Sequence, residues 1–151
     1  MTDLMRTIYD YELFLYSLTG QFPEVQNSTV TLVKRGTSLA RVSGELYFKE
    51  GYRLLVRERL LFHCSPILIE WYGYEIWKED QLISRYDPQP HPDEASLKIS
   101  FPHHKHVQPN LNRNRIPAPS MSFNCPNIPF LIKEMMALVN SAIEGENNEA
   151  K

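Results

Sequence analysis

Between Val25 and Asp87 the chain reads as five strand-like segments joined by connections of only a few residues, and this succession restricts the fold more than any other feature. The segments are "VQNSTVTLVKRG", "SLARVSGELYF", "YRLLVRERLLFH", "ILIEWYGYEIWK" and "QLISRYD". Each is rich in β-branched, aromatic or leucine residues, the types that suit a pleated, half-buried surface. Turn signals separate them at Arg35-Gly36, Lys49-Glu50-Gly51, Ser65-Pro66 and Glu79-Asp80. A parallel crossover needs a dozen or more residues, so connections this short permit only antiparallel neighbours. The expected sheet is a five-stranded, largely antiparallel meander.

Helical patterns flank the strands. "IYDYELFLYSL" sets Ile8, Tyr11, Leu15 and Leu18 at helical spacing before Gly20. "IPFLIKEMMALVNSAIEG" does the same with Phe130, Ile132, Met135, Met136, Val139 and Ile143 between Pro129 and Gly145. The expected architecture is α+β, with the N-terminal and C-terminal helices packed on one sheet face. A length of 151 residues suits one domain, expected over 1–145, followed by a frayed polar tail at 146–151.

The region after the last of these strands differs from the rest. Nine of the eleven prolines fall at positions 88, 90, 92, 102, 109, 117, 119, 126 and 129. Proline breaks interior helix and central strand alike, so a long ordered loop is expected here, of the kind that carries function. From Ala95 to Lys133 there is no Asp or Glu, while Lys98, Lys105, Arg113, Arg115 and Lys133 contribute +5; with −2 overall, the remainder carries −7. A net −2 excludes a chain that binds nucleic acid through global charge and confines any such affinity to this segment. No apolar run approaches the length of a membrane span. The start, with Asp3, Asp10 and Glu12, lacks the basic region and small-residue cleavage site of a signal peptide, so a cytoplasmic address is expected. Cys64 and Cys125 lack CxxC spacing and read as reduced, structural thiols.

Within the basic segment, "FPHHKH" packs His103, His104, Lys105 and His106 together, behind the triplet Arg85, Tyr86 and Asp87. Imidazoles titrate near neutral pH, and two of them with a cation to hold developing charge suffice for metal-independent cleavage of RNA by its own 2′-hydroxyl. Whether the segment is extended or turned, at most two of the three rings face one pocket. Arg85 and Asp87, two apart on a strand, share a face; Arg85 can clamp a phosphate and Asp87 can orient an imidazole. Tyr72 and Tyr74 also share a face and can stack bases or pack the core. Glu58 alternates with Leu54, Val56, Leu60 and Phe62, which implies burial, and a buried carboxylate needs a partner such as Arg or His. His63 reads as an exposed strand-end residue. No cofactor is expected. The metal alternative would draw on Asp87, His91, His104 and His106, but Lys105 among them is unfavourable beside a cation and no HExxH or paired-cysteine motif supports it.

These residues carry a family resemblance. "RYDPQPHP" followed by "FPHHKHV", with "GYRLLVRERL" and "WYGYEIW" upstream, resembles the TumE family, the toxin component of prokaryotic toxin–antitoxin pairs. The residues that match its pattern are Glu58, Tyr72, Tyr74, Arg85, Tyr86, Asp87, His91, Pro92, Phe101, Pro102, His103, His104, Lys105 and His106. The turn "PQPHPDEASLKIS" departs from that pattern with a single histidine and a longer spacer. The resemblance implies a toxin neutralised by an antitoxin encoded next to it. Joined to the residue chemistry, it leads to the expectation of an endoribonuclease with His91, His103, His104, His106, Lys105, Arg85, Asp87 and Glu58 as candidate catalytic groups. Tyr72, Tyr74, Tyr86, Arg113 and Arg115 are the candidate RNA contacts. A metal-dependent nuclease or phosphodiesterase, and a non-enzymatic RNA- or protein-binding module, stand as alternatives, and a homodimer is left open.

Overall fold

The computed structural model of the chain describes residues 3–149. It begins with a helix, α1 (Ile8–Tyr16), capped by the Thr7 side chain accepting from the Asp10 N–H, and a short helix α2 (Leu18–Gln21). The sequence pattern ran these two together up to Gly20; the structure breaks them at Ser17.

The strands are β1 (Asn27–Ser28), β2 (Thr31–Arg35), β3 (Leu39–Tyr47), β4 (Tyr52–Leu61), β5 (Leu68–Lys78), β6 (Gln81–Asp87), β7 (His104–Val107) and β8 (Arg115–Pro117). All pairs are antiparallel, and the order is β1-β3-β4-β5-β6-β7-β8 with β2 also on β3. The sheet thus has eight strands in place of the expected five. One extra arises because the first segment is interrupted between β1 and β2. There the chain lies so close to Gly44 that a Cβ on it would sit 2.5 Å from the Thr29 carbonyl oxygen, and Gly44 adopts φ +144°. The other two, β7 and β8, lie in the stretch expected as a loop. A 3-10 turn at Lys49–Gly51 joins β3 to β4, and a 3-10 helix at Ala95–Ser100 precedes β7.

The last helix, α3 (Ile128–Glu149), has Pro129 in its first turn, where a missing N–H costs nothing. It runs through Gly145, so residues 146–149 are helical, and 150–151 lie outside the described residues. Both α1 and α3 cover one sheet face: Tyr11, Phe14 and Leu15 from α1 and Leu131, Ile132 and Met135 from α3 are buried with Leu54, Val56, Leu60, Tyr74 and Ile76. Among the described residues no helix is long and apolar enough to cross a membrane.

Candidate functional site

The register of β6, β7 and β8 builds the site on the sheet face away from the helices. Arg85 pairs with His106 and His106 with Arg115; Asp87 pairs with His104 and His104 with Pro117. Residues directly opposite in an antiparallel ladder share a face, so Arg85, His106 and Arg115 form one cross-sheet row and Asp87, His104 and Pro117 the next. Alternation sends Tyr86, Lys105 and Ile116 to the other face. There the Tyr86 hydroxyl donates to Glu134 at 2.5 Å and Lys105 Nζ to the same carboxylate at 2.9 Å, which ties β6 and β7 to α3.

Three groups converge in the two rows. His104 Nε2 and His106 Nε2 are 3.0 Å apart, His106 Nε2 is 3.0 Å from Asp87 Oδ2, and His104 Nε2 is 3.1 Å from Asp87 Oδ1. Both rings are held from behind. His104 Nδ1 donates to the Pro102 carbonyl at 3.1 Å and His106 Nδ1 to the Leu111 carbonyl at 2.6 Å. A carbonyl only accepts, so each Nδ1 carries a proton, and in the neutral rings both Nε2 lone pairs face inward. Asp87 is positioned by the Gln89 N–H at 3.0 Å. His104 and His106 are 1% and 4% exposed, and the Asp87 side chain 22%.

The electrostatics follow from this crowding. Burial opposes ionisation of Asp87, yet the hydrogen bonds from His104 and the Gln89 N–H, with the charges of both imidazoles, bring its carboxyl down to about 2. Burial also works against charge on His104, but its bonds to Asp87 and to the Pro102 carbonyl raise its pKa above the ordinary histidine value. His106 moves the other way, lowered first by burial and then by the Arg85 and His104 charges. Arg85 donates from its terminal nitrogen to Asn112 at 3.2 Å and Arg115 pairs with Glu94, but the Nε of each is buried without a partner among the described residues.

The other candidates fall elsewhere. The segment between β6 and β7 folds over the centre, setting the His91 ring edge-on to His104 at 4.9 Å, yet His91 is not among the converging donors. His103 points to the helix-covered side, where its Nδ1 is hydrogen-bonded to the Tyr72 hydroxyl at 2.6 Å; burial lowers its pKa. Tyr72 and Tyr74 are fully buried and stacked on each other at 5.0 Å, so they are core side chains and not surface platforms. Glu58 is buried on that same side, and its partners are hydroxyls, not Arg or His: Tyr11 donates at 2.5 Å and Tyr74 to the other oxygen. Arg113 is exposed in the turn before β8, and His63 is exposed after β4. Sequence reasoning missed Glu94, Asn112 and the Pro102 and Leu111 carbonyls. A carbonyl is present at every residue, so no side-chain pattern marks it.

Fold and site together define a small α+β protein that carries a buried His/Asp centre, flanked by arginines, on the sheet face its helices leave free. The family model described as Toxin TumE matches residues 15–139, most of the chain, and the chain belongs to this toxin family. No curated protein and no solved structure matches it.

Proposed function

We propose that the chain is the toxin of a toxin–antitoxin pair and cleaves RNA phosphodiester bonds at the Asp87–His104–His106 centre. One observation carries the reading: Arg85 and Arg115 flank His106 in a single cross-sheet row, each with a buried, unpartnered Nε–H beside a group that exchanges protons. A buried donor without a partner calls for an acceptor, and a phosphate oxygen between two guanidinium groups supplies one. Among the described residues none of the polar contacts of Asp87, His104 or His106 is to Ser, Thr or Cys, which favours a nucleophile from the substrate or from water. The 2′-hydroxyl of RNA fills that role: its oxygen attacks phosphorus, the bond to the 5′-oxygen breaks, and a 2′,3′-cyclic phosphate remains.

At 3.0 Å the two Nε2 atoms are too close to bracket a phosphodiester from opposite sides. They act as one unit with Asp87, taking the 2′-hydroxyl proton and returning a proton to the departing 5′-oxygen, while Arg85 and Arg115 hold the charge that develops on phosphorus. Three inward-facing acceptors need one cation among them, a proton or a metal ion. The antitoxin that fits this site presents a carboxylate to the same two arginines.

The test is RNA cleavage by the purified chain. Products ending in 2′,3′-cyclic phosphate are expected, and His106→Ala is expected to lower turnover roughly 100-fold or more, the usual size of a lost acid–base group. Folded wild-type protein that leaves RNA intact, with and without divalent metal, would contradict the reading.

A further inference from the structure

The geometry points to a binding site for one divalent transition-metal ion, ligated by His104 Nε2, His106 Nε2 and the Asp87 carboxylate. His104 Nε2 and His106 Nε2 are 3.0 Å apart, and each faces its own oxygen of Asp87, Oδ1 at 3.1 Å from His104 and Oδ2 at 3.0 Å from His106; one ligand atom from each of the three residues lies within 4.8 Å of the others. Ligands about 2.1 Å from an ion and at right angles to each other are about 3.0 Å apart, so the imidazole–imidazole pair and each imidazole–carboxylate pair have the spacing of neighbouring ligands on one ion. The donor set of two imidazoles and one carboxylate belongs to zinc, iron, manganese and cobalt chemistry, and three protein ligands leave positions open for a substrate oxygen or water.

The surroundings support the same ion. Metal-bound imidazoles characteristically donate their remote N–H to a carbonyl or carboxylate, which fixes the tautomer and aims the lone pair at the metal. Both histidines are held so, by the Pro102 and Leu111 carbonyls. Asp87 is likewise fixed by a backbone N–H. Lys105, whose charge is unfavourable beside a cation, is on the opposite face with Glu134. Arg85 and Arg115 remain on the site's face. Their repulsion of a dication is offset by Asp87, by Glu94 on Arg115, and further by any phosphate that binds, so metal and phosphate should reinforce each other.

Metal binding stands on this geometry alone; its catalytic use, lowering the pKa of a bound hydroxyl, rests on the RNA-cleaving reading above. The experiment titrates metal-free protein with Co²⁺, following visible absorption, and with Zn²⁺ by calorimetry. One ion per chain is expected, with bands of nitrogen and oxygen ligation and no thiolate charge transfer. Asp87→Asn and His106→Ala, each checked for folding by circular dichroism, should weaken binding roughly 100-fold or more, and His63→Ala should leave it unchanged. No uptake by the wild type, or wild-type affinity in folded Asp87→Asn and His106→Ala, overturns the site. RNA cleavage that persists in EDTA without metal uptake overturns the metal while leaving the cleaving reading intact. Metal uptake by a protein that leaves RNA whole does the reverse.

Discussion

Two buried polar clusters lie on opposite faces of the same sheet, and they differ in whether the chain satisfies them. On the helix-covered face Glu58 accepts from Tyr11 and Tyr74, and Tyr74 in turn accepts from Asn127 Nδ2 at 3.1 Å. Each carboxylate oxygen has a donor, so this cluster is closed and ties α1 and the start of α3 to the centre of the sheet. On the other face Asp87, His104 and His106 bring acceptors together with too few donors, while Arg85 and Arg115 keep buried donors without acceptors among the described residues. The mismatch is what a ligand bearing both a cation and a phosphate would resolve. A buried carboxylate is therefore a poor guide to function by itself, and the balance of donors and acceptors around it separates a structural network from a site.

Truncation of the closed cluster tests the contrast most severely. Glu58→Ala leaves two buried tyrosine hydroxyls without an acceptor and should cost on the order of 3 kcal/mol in urea unfolding. Whatever fraction stays folded should keep its RNA-cleaving rate per molecule. A folded Glu58→Ala protein with unchanged stability and lost turnover would move the carboxylate from the structural cluster to the catalytic one.

The acid limb of stability comes next. The Asp87 carboxyl is held at about 2, below its ordinary value, so the stabilisation it gives is present above about pH 4 and is lost as pH falls through the folded value. In metal-free protein the difference between wild type and Asp87→Asn should be on the order of 2 kcal/mol at pH 5 and should shrink toward zero near pH 2. A difference independent of pH would mean that the carboxylate is not held by the imidazoles. Arg85→Ala should lower turnover roughly 10- to 100-fold with little change in melting temperature, as befits a lost donor to developing charge. His63→Ala, exposed and remote, should change either quantity by no more than about twofold.

The same two faces show what a sequence makes legible. The β3 to β6 meander and both terminal helices could be read because their punctuation is local: Gly36, Gly51 and Asp80 sit at the turns, and the apolar period is intact within each segment. The burial of Glu58 followed from strand alternation, but its Tyr11 partner is 47 residues away and carries no local mark. β7 and β8 were hidden by proline. Counted over the whole stretch the prolines argue against strands, yet Pro102 and Pro109 flank β7, and Pro117 is the last residue of the edge strand β8, where no ladder N–H is needed. For the histidines, alternation limited a shared pocket to at most two. That the pair is His104 and His106, and that Asp87 meets them, depends on a β6–β7 register set across a 16-residue excursion, which nothing within either segment encodes.

The central claim is that the Asp87–His104–His106 centre is where the toxin acts, and growth of a bacterial host expressing the chain without its antitoxin tests it most directly. Wild-type chain should arrest growth, while Asp87→Asn and His106→Ala, accumulating as folded protein to the same level, should not. Growth arrest by either folded variant at wild-type strength would contradict the account.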